Sequence, residues 1–187
     1  MLIFGFAACG GAQVADDGGS TATSDETAQA VQETEQEEVS GPFGKADMVF
    51  VHEGKSYPIS SDAAPLLEVF GSDYEVITAP SCAFEGEDKQ FIYDFAEVFT
   101  YPDGDTDLIN EIYVFDGDFT TGRGISLGDT LEAVIEAYGE GGFEQGDTYV
   151  YPLSGSMEDA GSQRLTFELT DGKVSGISWF GANGLEL

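Results

Sequence analysis

The clearest pattern lies in the second half of the chain. In ISLGDTLEAVIEAYG, residues 125–139, Leu131, Val134, Ile135 and Tyr138 recur at i, i+3, i+4 and i+7. That spacing gives one apolar stripe along a helix. Ser126 with Asp129 three residues later resembles a helix-start box, so Ser126 is the expected N-cap and Gly139 the expected stop. Strands are predicted over 148–152, 163–169 and 174–180. In the second of them Leu165, Phe167 and Leu169 alternate with polar residues, as a sheet with one buried face requires. TDGK, 170–173, supplies a hairpin turn. The first half repeats this order. ISSDAAPLLEVFG, 59–71, predicts a short helix with Leu66, Leu67 and Phe70 apolar and Gly71 at its end. Pro65 is tolerated only in a first turn, so this helix begins at Ala63 or Ala64. Strands are expected over 82–84, 90–95, 98–101 and 109–115, with another over 48–51 ahead of the helix.

Aligned on their turns, TYPDGDTDLINEIYVF and ELTDGKVSGISWF share Asp-Gly, an apolar position, then Ile and aromatic positions at one spacing. The expected fold is therefore α+β: tandem helix-plus-antiparallel-meander units forming one sheet with the helices on one face. The expected boundaries are 45–121 for the first unit and 122–187 for the second.

Charge changes the picture of what such a domain can meet. Across 187 residues, 36 acidic side chains stand against 6 basic ones, a net charge of −30. With no Lys/Arg cluster, nucleic acid and an anionic membrane surface are poor partners. A basic protein or peptide, or divalent cations, remain. Residues 10–42 carry eight acidic residues, no basic one and no aromatic. They cannot bury enough apolar area to offset ordering, so 10–44 is expected to be a disordered acidic tether.

The opening MLIFGFAACGG resembles the end of a bacterial lipoprotein signal peptide, with Phe6, Ala7, Ala8 and Cys9 in the lipobox places. It departs from that pattern in having Phe6 where Leu is commoner, no Lys or Arg before the apolar run, and a short run. The resemblance implies a truncated signal over 1–9 and lipidation at Cys9. It also implies a place on the outer face of a cell membrane, reached through the lipid alone. The helix entry ISLGDT and the strand-turn motif DGKV, within 45–180, resemble the β-lactamase-inhibitor-protein fold and the related SmpA/OmlA lipoproteins. PSCAFEG, FIYDFAEVFTYPDG, INEIYVFD and TTGRGISLGDT are similar to uncharacterised secreted lipoproteins of Gram-positive anaerobes. The inhibitor resemblance implies binding of a protein through the face of the sheet; that the domain is not an enzyme is expected from the lack of a catalytic constellation among its residues.

The chemical candidates are few. Gly124, Ser126 and Gly128 form a literal G-x-S-x-G, but the single histidine, His52, lies upstream and no core strand leads into the motif. A cell-envelope hydrolase is the alternative this motif keeps open. Cys82 in PSCAF is expected on a strand as a small buried hydrophobe, with His52 at a strand end beside the Glu53-Gly54 turn. Asp103, Asp105 and Asp107 begin like a calcium loop, with Asp116 and Asp118 nearby. However, Leu108 takes the glycine position and Val114 that of the closing Glu. A divalent-cation module is thus the second alternative, and a solvated hairpin turn the plain reading. No phosphate loop with a lysine, no CxxC and no HExxH occurs, so no cofactor is expected. The strands are rich in aromatics, and Tyr93, Tyr113, Tyr149, Tyr151 and Trp179 are candidate partner-binding residues. Two placements stand open for them: burial in the core, or display on an uncovered sheet face.

Overall fold

In the computed structural model, which describes residues 41–159 and 161–181, the chain is mostly β. A hairpin of β1 (Val49–His52) and β2 (Lys55–Pro58) precedes α1 (Ala64–Phe70). Then come β3 (Glu75–Pro80), β4 (Glu87–Ile92), β5 (Ala96–Asp103) and β6 (Thr106–Val114). After α2 (Leu131–Tyr138) follow β7 (Phe143–Gln145), β8 (Thr148–Pro152), β9 (Arg164–Thr170) and β10 (Lys173–Phe180). The last eight strands form one antiparallel sheet in the order β3-β4-β5-β6-β10-β9-β8-β7. β6 and β10 meet at the centre, with Val114 opposite Ile177 and Ile112 opposite Trp179. The expected antiparallel sheet and two helices are present, but the helices are only seven and eight residues long.

Strand alternation decides which face is covered. Val98, Ile112, Val114, Leu165, Phe167, Ile177 and Trp179 are buried and belong to one apolar core. Leu66 of α1, Val134 and Tyr138 of α2, and Phe50 and Tyr57 of the small hairpin join the same core. Phe50 meets Trp179 edge-on at 5.2 Å between ring centroids, which pins the hairpin over β10.

Both helices are tied in alike. Each stops at a glycine, Gly71 at φ 88° and Gly139 at φ 84°, a region that favours glycine. The carbonyl of each glycine accepts a tyrosine hydroxyl, from Tyr93 at 3.4 Å and from Tyr151 at 2.6 Å. Just before each helix the backbone bonds to the start of a central strand. Ala63 N–H donates to Asp107 and Gly128 N–H to Val174.

Several expectations are corrected. The N-cap of α2 is Thr130, whose Oγ1 accepts from the Ala133 amide, and not Ser126. The Ser126 amide donates to Asp129 Oδ2, closing a turn one step earlier in the chain. Residues 82–84 are a bend between β3 and β4, and Cys82 is an exposed free thiol, neither on a strand nor buried. β3 and β7 were not expected, because every residue of both is exposed and neither shows an apolar alternation. In β2 only Tyr57 is buried. Cys9 and residues 10–40 lie outside the described residues. Residues 41–44, expected within the tether, lie against the domain. Phe43 packs on Tyr138 and Tyr151, and the Arg123 guanidinium donates to the carbonyls of Gly41 and Pro42. The same guanidinium donates to Asp47 through Nε and Nη2, and to the Ala137 carbonyl at the end of α2, while lying 4.8 Å from the Tyr138 ring centroid. One side chain thus joins the chain entry, the connection before α2 and the end of α2.

Candidate functional site

The helices and the small hairpin join the covered face, and the opposite face of the central strands forms a cleft of about 570 Å³. Its floor follows from alternation. Residues one step out of phase with the core point here: Glu97 and Phe99 on β5, Glu111 and Tyr113 on β6, Ser178 and Phe180 on β10. Arg164, Thr166 and Glu168 come from β9, Thr148 and Val150 from β8, and Met157 from the following loop. A cleft of this size, with polar groups converging on a part-apolar floor, is the kind of surface where ligands dock.

The polar groups are tied in pairs across the strands. Ser178 Oγ donates to Glu111 Oε1 across the central strand pair. Tyr113 Oη donates to Glu168 Oε2 at 2.7 Å, reaching from β6 across β10 to β9. The ring can lie that low because β10 has Gly176 beneath it. A Cβ there would stand 2.8 Å from Tyr113 Cε2 and 3.0 Å from Glu168 Oε2. Gln90 Nε2 donates to Glu97 Oε2 at 2.9 Å. The Arg164 guanidinium lies 4.1 Å from the Phe180 ring centroid.

Burial pushes the Glu111 carboxyl above the usual carboxylate range, with Glu97 and Glu168 adding to the rise and Ser178 and Arg164 opposing it. Burial also raises the Tyr113 hydroxyl, helped by its bond to Glu168. Three carboxyl groups therefore share the cleft with one guanidinium. The arrangement suits a cation with an aliphatic stem: carboxylates for the charge, and Phe99, Val150, Met157 and Phe180 for the stem.

Of the five candidate aromatics, Tyr113 alone stands on this face. Tyr93, Tyr149, Tyr151 and Trp179 are at most 7 % exposed and belong to the core. The charged residues of the cleft, Glu97, Glu111, Arg164 and Glu168, were not singled out from the sequence. Glu111 and Tyr113 do sit at i and i+2, but among 36 acids such spacing carries little signal. Their convergence depends on the β6–β10–β9 register.

The other candidates lie apart. Ser126 Oγ is 2.9 Å from Thr120 Oγ1, and among the described residues none of its hydrogen bonds involves an imidazole. His52 ends β1 and packs against Phe119 at 5.1 Å and Phe50 at 6.2 Å. It borders a smaller cavity lined also by Phe70, Phe95, Asp116 and Asp118. Asp103 and Asp105 are exposed at the β5–β6 turn, whereas Asp107 is drawn to Lys89 at 2.7 Å. Among the described residues no three His, Cys, Asp or Glu side chains gather in a way that could hold a metal ion. Nor is any described helix long and apolar enough to cross a membrane. No family model matches the chain, no curated protein matches it in sequence, and no solved structure matches it.

Proposed function

We propose that the protein is a lipid-anchored, non-catalytic binding module of the cell surface. Its open sheet face takes a Lys- or Arg-bearing segment of a partner protein, and Cys9 is the lipidated residue. The observation that carries the reading is the cleft over β5, β6, β10 and β9, where Glu97, Glu111 and Glu168 meet a single guanidinium on a part-apolar floor. The net charge of −30 supports it, because it steers basic partners inward and repels acidic ones. We read the two helix-plus-meander halves as related units in the manner of the inhibitor-like fold. The matching glycine stops, tyrosine-to-glycine bonds and pre-helix contacts support that reading.

The reading is tested by titrating the full chain with hexa-arginine and following backbone amide shifts. Shifts centred on Glu97, Tyr113 and Glu168, and lost in a Glu97→Lys/Glu168→Lys variant, are expected. Shifts spread evenly over the acidic surface and unchanged in that variant would count against the cleft. Palmitate labelling that disappears in Cys9→Ser is the matching result for the anchor.

A further inference from the structure

The sheet has a second open feature, its β3 edge. Ser81, just beyond β3, donates its amide to the Gly86 carbonyl at 3.0 Å. The ladder continues from there as Ala79 opposite Asp88, Ile77 opposite Gln90 and Glu75 opposite Ile92. Antiparallel pairing alternates, so these residues turn their amides and carbonyls toward β4, while those of Val76 and Thr78 point away from the sheet. β3 ends the strand order, so among the described residues no further strand meets them. The side chains here are also uncovered: Val76 is 47 % exposed, Ile77 49 % and Tyr74 40 %. Edges are usually blunted by shortness, charge or a bulge. β3 runs six residues with Glu75 and Pro80 only at its ends. The opposite edge, β7, is three residues long.

We propose that β3 is a docking edge to which a basic partner adds an extended strand. Backbone bonds would form at Val76 and Thr78, and apolar side chains would pack along the face that carries Val76. Charge selects the occupant. Asp73, Glu75, Glu85 and Glu87 are exposed around the edge, and the local cation, Lys89, is held by Asp107. A second copy brings a net charge of −30 to this acidic rim, and the chain's own residues 10–42 bring eight acids and no base. A segment alternating Lys or Arg with β-branched residues sets its charges on the face of Glu75 and Ile77 and its β-branched side chains on that of Val76. This site stands apart from the cleft, which begins at β5, so either can fail without the other.

The test is amide hydrogen exchange of the full chain with the peptide Lys-Val-Lys-Val-Lys-Val-Lys, and with Glu-Val-Glu-Val-Glu-Val-Glu as control. Saturating basic peptide should slow exchange at Val76 and Thr78 about tenfold, with no protection from the acidic peptide. Thr78→Pro removes an outward amide without touching the bonds to β4, and should abolish the protection. Ile77→Lys, a surface change, should weaken it by charge repulsion should the proline variant fold poorly. Glu97→Lys/Glu168→Lys should leave it in place. Unchanged exchange at Val76 and Thr78, equal protection by the acidic peptide, or protection without peptide that rises with protein concentration would each overturn the proposal.

Discussion

Arg123 and Asp47 pack with side-chain exposures of 5 % and 1 %, and the guanidinium also serves three backbone carbonyls. Removing one member of such a pair strands the other charge in the core. Arg123→Ala should therefore cost about 3–5 kcal/mol in chemical denaturation, a large share of what a domain of this size has to lose. Glu111 works in the opposite direction. Its carboxyl is raised in the folded state, so the fold binds that proton more tightly than the unfolded chain does. The stabilising contribution is complete below the unfolded pKa, near the ordinary 4.5, and is lost as pH climbs through the raised folded value. Glu111→Gln keeps an acceptor for Ser178 and never ionises. It should melt higher than wild type at pH 7, with the gap closing toward pH 4. A gap that widens on acidification would show that Glu111 is held as a favoured carboxylate instead. Neither residue was visible as special in the sequence: Arg123 sits inside a glycine-rich motif that draws attention to Ser126, and Glu111 is one acid among many.

The legible elements were those whose apolar positions repeat. The stripe of α2 named Leu131 through Tyr138 with its glycine stop, and the alternation of β9 named Leu165 and Phe167 as the buried face. β3 and β7 have no buried residue to set a period, so alternation does not mark them; in β3 the local signal is the β-branched run Val76-Ile77-Thr78, and pairing with β4 and β8 completes both strands. The start of α2 was misplaced because Ser126 and Thr130 both precede the apolar stripe with a carboxylate or amide in reach. The structure gives Thr130 the bond to Ala133 and leaves Ser126 to the turn before it. Thr130→Ala should then destabilise by about 1 kcal/mol, whereas Ser126→Ala should stay within about 0.5 kcal/mol, both read from thermal or urea unfolding. A reversed order would return the cap to Ser126.

At the scale of the whole molecule, one sheet presents two unlike faces. Its covered face buries Tyr93, Tyr149, Tyr151 and Trp179, which sequence alone could place on either side, while Tyr113 takes the open one. Its open face gathers Glu97, Glu111 and Glu168 from strands whose adjacency no linear motif records. The surface charge was plain from composition, but where it becomes a shaped cleft depends on β6 and β10 meeting at the centre. The most direct measurement is selection of a random peptide-display library on the full chain, counter-selected on Glu97→Lys/Glu168→Lys. Enriched peptides should carry Lys or Arg, bind the double variant about tenfold or more weakly, and weaken further as salt is raised. Enriched peptides without basic residues, or ones that bind the double variant equally well, would contradict it.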